Sequence, residues 1–294
     1  MIIDRGNGTP LVLVPGLQGR WEYLRPAVEA LAGRFRVITF PLCGERASDM
    51  PFDPLKGLDN YVAQVLAVLE DKHIDRAAIC GVSFGGVIGL RFAGCHPERT
   101  AALVLASTPA PTFHLRRRHE VYVRMPWVFG PLFLAESPWR LRAEVVTAFP
   151  QSRARWSFRS RMLQTLITAP LSLPRMAVRA RLLTGADLRE DCARVTAPTL
   201  IVTGEPRLDF VVPVDGSIEY TRLIPNARAV ILERTGHLGT VTRPDAFARL
   251  VSEFVDGIYI ARHGVDGIDI PRHTAADRGR PDTSTGSGPA NQVA

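Results

Sequence analysis

The sequence predicts an α/β protein, a mostly parallel sheet flanked by helices on both faces. Three observations predict it. Short apolar runs of strand length alternate with segments of helical spacing through most of the chain. Those apolar runs are continuous, as strands buried on both faces require. The chain has 294 residues, 46% hydrophobic and 22% charged, which suits one large domain or two small ones and is too apolar for a disordered chain.

Leu11–Val14 is a continuous apolar run ending in Pro15-Gly16, and Trp21–Leu31 has helix-like spacing. Arg36–Phe40 is the second strand candidate. Asn60–Lys72 places Tyr61, Val62, Val65, Leu66, Val68 and Leu69 on one helix face, with Asp59 as its N-cap. Ala77–Cys80 is a third strand. The helix Phe84–Cys95 stops before Pro97, and Ala101–Ala106 is a fourth strand. Ser107–Thr196 then reads as helices and turns without a strand. The alternation resumes with strand Thr199–Thr203, helix Val214–Ile224, strand Ala229–Leu232 and helix Pro244–Val255. The apolar periodicity ends near Gly257. The organisation expected is a core of residues 1–108 and 197–257, an inserted helical segment 109–196, and a disordered tail 258–294.

Lys plus Arg number 36 against 29 for Asp plus Glu, a net charge of +7. The excess has a location. Between Thr112 and Val195 there are fifteen Arg, no Lys and six acids, a net of +9, and the rest of the chain carries −2. No nucleic-acid-binding motif accompanies it, so no nucleic-acid partner is expected. The charge points to an anionic substrate or membrane surface met by the insertion, or to a solvated Arg-rich face. No apolar run is long enough to cross a bilayer, and no secretory leader is legible at Met1. Cys43, Cys80, Cys95 and Cys192 are scattered, without metal-ligand spacing; four free thiols in a cytoplasmic protein with no metal are expected.

Gly81-Val82-Ser83-Phe84-Gly85 falls between a strand and a helix. A nucleophile at so sharp a turn needs Gly two residues before and after, where a side chain would collide with the neighbouring elements. The turn exposes the Ser83 hydroxyl at a helix N-terminus, where the dipole and free N–H groups favour developing negative charge. Serine needs a base. Of seven histidines, His237 alone follows a strand, in Glu233-Arg234-Thr235-Gly236-His237 ahead of a helix. The carboxyl ends of parallel strands share one edge, so His237 and Ser83 should meet there. The base needs an acid to orient it. The loop after Thr199–Thr203 carries Glu205 and Asp209; Asp209 is preferred, with Asp215 as the alternative, since Glu205 lies close to the strand end and Asp215 should already be helical.

With these residues in place the chain resembles the α/β-hydrolase superfamily over about Thr9–Val255, most of all the small bacterial serine esterases and enol-lactonases with a helical lid. The order Ser83, Asp209, His237 is the order of that fold. Leu11-Val12-Leu13-Val14-Pro15-Gly16 is similar to its oxyanion strand and turn, with Pro15 in place of the usual His. Cys95-His96-Pro97-Glu98-Arg99, Ala197-Pro198-Thr199-Leu200 and Thr235-Gly236-His237 match further landmarks. Pro41-Leu42-Cys43-Gly44-Glu45-Arg46-Ala47-Ser48 departs from the family: it lacks the usual Asp and has Arg46 at a Gly position. The first two strands look shortened or absent, and the loop Gly204–Asp209 is longer than usual.

The resemblance implies an α/β-hydrolase fold, with the insertion as a lid and an oxyanion hole made by the backbone N–H groups of Leu17 and Phe84. Gly16, Trp127 and Phe129 are the substrate-binding candidates; the apolar stretch Met125–Leu134 lines an acyl pocket or packs on the core. Ser83 as nucleophile, rather than Asp, implies acyl chemistry on a small carboxylic ester or lactone without a cofactor. A C–C bond hydrolase or an acyltransferase would use the same triad. The rival from another class is a hydrolase-fold ligand-binding protein with weak activity. The oligomeric state is open.

Overall fold

The expected alternation builds a seven-stranded sheet in the computed structural model, which describes residues 1–263. In chain order, β1 (Ile3–Arg5) and β2 (Pro10–Val14) are followed by a 3-10 turn, Trp21–Leu24, that runs into α1 (Arg25–Ala32). Next come β3 (Arg36–Thr39), α2 (Asp59–Asp71), β4 (Ala77–Val82), α3 (Phe84–Cys95) and β5 (Thr100–Ala106). Six helices form the insertion: α4 (Arg117–Arg124), α5 (Pro126–Arg140), α6 (Arg142–Ala148), α7 (Ser152–Thr168), α8 (Leu173–Gly185) and α9 (Arg189–Arg194). The sheet resumes with β6 (Thr199–Thr203), α10 (Val214–Ile218), α11 (Tyr220–Leu223), β7 (Ala227–Ile231), α12 (Gly239–Thr242) and α13 (Pro244–His263).

The strand order is β1-β3-β2-β4-β5-β6-β7. Only β1 is antiparallel, pairing Ile3 with Thr39, and Arg36 on β3 holds Asp4 at 2.7 Å. The continuous apolar runs occupy the sheet centre: Leu11, Val12, Ile79, Cys80, Leu103 and Val104 are wholly buried. Helix α3 packs against β4, β5, α2 and α9, and Val65, Leu69, Phe84, Ile88 and Phe92 join one apolar cluster with the strands. Residues Met1–Ile258 make one compact unit; a second begins at Tyr259.

Several boundaries differ from the sequence reading. One three-residue strand, β1, precedes β2. Pro26, at the start of α1, separates that helix from the 3-10 turn before it, so Trp21–Leu31 is not one helix. Asp59 opens α2 rather than capping it, and its carboxylate pairs with Arg91 at 2.7 Å instead. The segment Val214–Ile224 forms two short helices, with the poor helix former Gly216 inside the first. The edge strand β7 begins two residues early and ends one early; no residue in it is fully buried, and Arg228 interrupts its apolar run at the N-terminal end. Helix α13 continues past Val255 to His263; the rest of the expected tail, 264–294, lies outside the described residues.

Candidate active site

Ser83 sits between β4 and α3 with φ 55° and ψ −118°, a backbone conformation that L-residues seldom adopt. The surroundings enforce it. Its N–H donates to the Ala106 carbonyl at 2.8 Å, and its carbonyl accepts from the Gly86 N–H at 2.9 Å. A Cβ on Gly81 would overlap the Gly85 backbone, and one on Gly85 would overlap the Val14 and Pro15 carbonyls. The glycine spacing is therefore a packing requirement of the turn, as the sequence argument supposed.

Beside this elbow lies the turn after β2. Gly19 N–H donates to the Gly16 carbonyl at 2.9 Å, and a Cβ on Gly16 would stand 3.4 Å from the Ser83 Cβ. Leu17, at the apex, is thus next to the elbow. Phe84 is the first residue of α3, and the first N–H groups of a helix have no partner within it. Phe84 thus follows Ser83 directly, and Leu17 follows the Gly16 that lies against it.

On the same carboxyl edge of the sheet, His237 Nδ1 lies 3.5 Å from Asp209 Oδ2, with both side chains largely buried. That separation is longer than a formed hydrogen bond, and Nδ1 has no closer partner; such contacts commonly tighten when substrate binds. The other Asp209 oxygen accepts from the Val211 and Val212 N–H groups at 2.9 and 2.8 Å. Burial raises the carboxyl pKa, but the His237 ring and the two backbone donors outweigh burial and hold it below the usual aspartate value. The two alternatives take other places. Glu205 accepts from the Arg234 N–H at 2.7 Å and holds Arg207, and Asp215 falls in α10. A cavity of about 240 Å³ opens beside Asp209, lined by Phe210, Val211, Pro213 and, from the insertion, Arg116.

Two insertion residues absent from the sequence reading reach the loops around this edge. Glu144 on α6 is wholly buried; its carboxylate accepts from the Leu238 N–H at 2.9 and 3.0 Å, directly after His237. Arg179 on α8 is 1% exposed; it pairs with Glu45 at 2.6 Å and donates to the Leu17 carbonyl at 3.1 Å. The turn Pro41–Ser48 is tied to the insertion by this pair, through its Glu45. Gln64 braces the same turn, accepting from Cys43 N–H at 2.8 Å and donating to the Pro41 carbonyl at 3.0 Å. The sequence signal was an unusual turn and a charge in each of two helices, too little to pair them.

Of the remaining candidates, Trp127 is 75% exposed on α5, and Phe129 stacks on Tyr122 with ring centroids 5.9 Å apart. Arg118 is held by Glu136 and Tyr122, and Arg117 is exposed. All four cysteines are free. Among the described residues, no cluster of three His, Cys, Asp or Glu is placed to hold a metal, and no helix is long and apolar enough to cross a membrane.

Comparison with known proteins adds the following. Residues 11–250 match the Alpha/beta hydrolase family. The chain is 28% identical over 259 residues to a protein of Azorhizobium caulinodans named "Putative carbamate hydrolase RutD", covering 85% of this chain and 92% of the relative. It is 27% identical over 257 residues to 3-oxoadipate enol-lactonase 1 of Acinetobacter baylyi, covering 82% and 85%. The crystal structure of the enol-lactonase from Burkholderia xenovorans LB400 superposes with a TM-score of 0.72 at 24% identity, covering 87% of this chain and 96% of that one.

Proposed function

The chain belongs to the alpha/beta hydrolase family, and on that premise we propose that it is a serine hydrolase cleaving a small carboxylic ester or lactone through an acyl-enzyme. Ser83 Oγ attacks the acyl carbon while His237 takes its proton. Asp209 orients the imidazole and stabilises the imidazolium. The Leu17 and Phe84 N–H groups receive the oxyanion. His237 returns the proton to the leaving alcohol, then activates the water that releases the acid. No cofactor enters these steps. The helical insertion acts as the lid over this edge. The four free cysteines support a reducing, cytoplasmic setting.

The observation that carries this reading is the strained Ser83 turn on the same sheet edge as the His237–Asp209 pair. Lactone and ester carbonyls are favoured by likeness to an enol-lactonase. A carbamate offers the same electrophile, and likeness to the RutD protein puts it on the substrate panel. The test is hydrolysis of p-nitrophenyl acetate and butyrate by wild type and Ser83→Ala, with fluorophosphonate labelling. Wild type is expected to be faster by about 10³-fold or more and to be labelled at Ser83. Equal rates together with no labelling would overturn the proposal and favour a ligand-binding role for the fold.

A further inference from the structure

The surface of α5 is inverted relative to an ordinary helix of a water-soluble protein. Its exposed positions are Trp127, Val128, Pro131, Leu132, Ala135, Pro138 and Trp139. They recur every three to four residues, so they form one continuous stripe. Every member is apolar. The stripe runs about 18 Å, at 1.5 Å per residue, from one tryptophan to the other. The opposite side of α5 packs on α4 and α8, so the helix is anchored and the stripe is its solvent face. A contiguous apolar face of this kind marks an interaction site.

Charge surrounds it. Arg124 and Arg142 stand exposed just before and after α5, and Arg142 lies 5.4 Å from the Trp139 ring. Arg116 and Arg117 are exposed at the start of the neighbouring α4. Of the fifteen Arg in the insertion, only Arg118, Arg179, Arg189 and Arg194 are ion-paired among the described residues.

We propose that the outward stripe of α5 docks this protein on the surface of a bilayer containing anionic lipid. The charge decides among occupants. A second copy would bring two insertions of +9 together, which opposes association. Residues 264–294 carry four acids and three Arg and would neutralise almost none of that charge. Anionic headgroups complement the Arg border. Tryptophans at both ends match the headgroup boundary, and the apolar stripe offers the acyl region no hydrogen-bonding side chain to desolvate except the indole N–H groups at its ends. The cytoplasmic leaflet is anionic, so this mode suits a protein of that compartment.

The test is flotation of the full chain with phosphatidylcholine vesicles, with and without phosphatidylglycerol, at low and high salt. Binding is the readout, so the result does not depend on the hydrolase reading. The chain is expected to float with phosphatidylglycerol vesicles at low salt, to bind phosphatidylcholine alone at least tenfold less, and to release in high salt. Leu132→Gln/Trp139→Gln and Arg124→Gln/Arg142→Gln should each weaken binding about tenfold, with circular dichroism melts unchanged. Failure to float at low salt overturns the proposal. Undiminished binding by Leu132→Gln/Trp139→Gln also overturns it, by assigning attachment to charge elsewhere. A dimer seen in analytical ultracentrifugation and lost in that variant would make a second copy the occupant instead.

Discussion

The sheet core and the helical insertion follow opposite rules of polarity. In the core, the apolar strands are buried: Leu11, Val12, Ile79 and Leu103 have no exposure. In the insertion, two of the most deeply buried side chains are charged, Glu144 and Arg179. Eleven of the sixteen large exposed hydrophobics among the described residues fall between Val121 and Ile167. The difference teaches that the two regions are specified by different things. Burial specifies the core. The insertion is tied by buried polar contacts to the loops that carry Leu17 and His237, and α5 presents an apolar stripe on its outside.

That contrast can be broken by experiment. The largest effect expected is catalytic. His237→Ala should lower kcat/KM by about 10³-fold or more, with little change in melting temperature, because the ring makes one long polar contact in the unliganded protein. Steady-state kinetics beside a thermal melt checks both halves. A large loss of stability would show that the carboxyl edge is structural as well as catalytic.

Next is the Arg179–Glu45 pair. Arg179→Met should destabilise by about 3–5 kcal/mol, because it leaves the buried Glu45 carboxylate without its cation. Adding Glu45→Leu should recover most of the loss, since an apolar pair carries no desolvation penalty there. Urea unfolding of the two variants measures this. Recovery of stability without recovery of kcat would locate the function of Arg179 in holding the Leu17 carbonyl. A cost below about 1 kcal/mol for Arg179→Met would remove the claim that buried charge anchors the insertion.

These contacts also mark how far the sequence could be read. The sheet and the elbow were legible because each depends on local pattern: continuous apolar runs, and glycines at fixed offsets from Ser83. The closeness of His237 and Asp209 was legible because both follow strands on the shared carboxyl edge. The pairing of Arg179 with Glu45 was not, because 134 residues separate them and neither carries a pattern of its own. Glu144 was hidden for the same reason, as one of six acids in a basic segment with no pattern of its own. Trp127 was read as a candidate for the substrate pocket because its neighbours are apolar; its 75% exposure follows from the helical phase of α5, which the two interior prolines obscured in the sequence.

The smallest effects concern Glu144. Glu144→Ala should cost about 1–3 kcal/mol, by leaving the half-buried Leu238 N–H without an acceptor. Its pH dependence is sharper as a test. Burial pushes the carboxyl above its ordinary 4.5, opposed by the Leu238 and Gly236 N–H groups and by His237. The folded protein therefore keeps a proton that the unfolded chain has released. The stability this group contributes is greatest below about pH 4.5, falls as pH rises through the folded-state pKa, and is level above it. Glu144→Gln cannot ionise, so the stability of wild type relative to Glu144→Gln should fall over that window and be flat outside it. Chemical unfolding of both proteins from pH 4 to 8 reads the slope. A difference that instead grows with pH would mean that the backbone donors and His237 outweigh burial, and that the insertion is anchored by a charge the fold favours rather than one it tolerates.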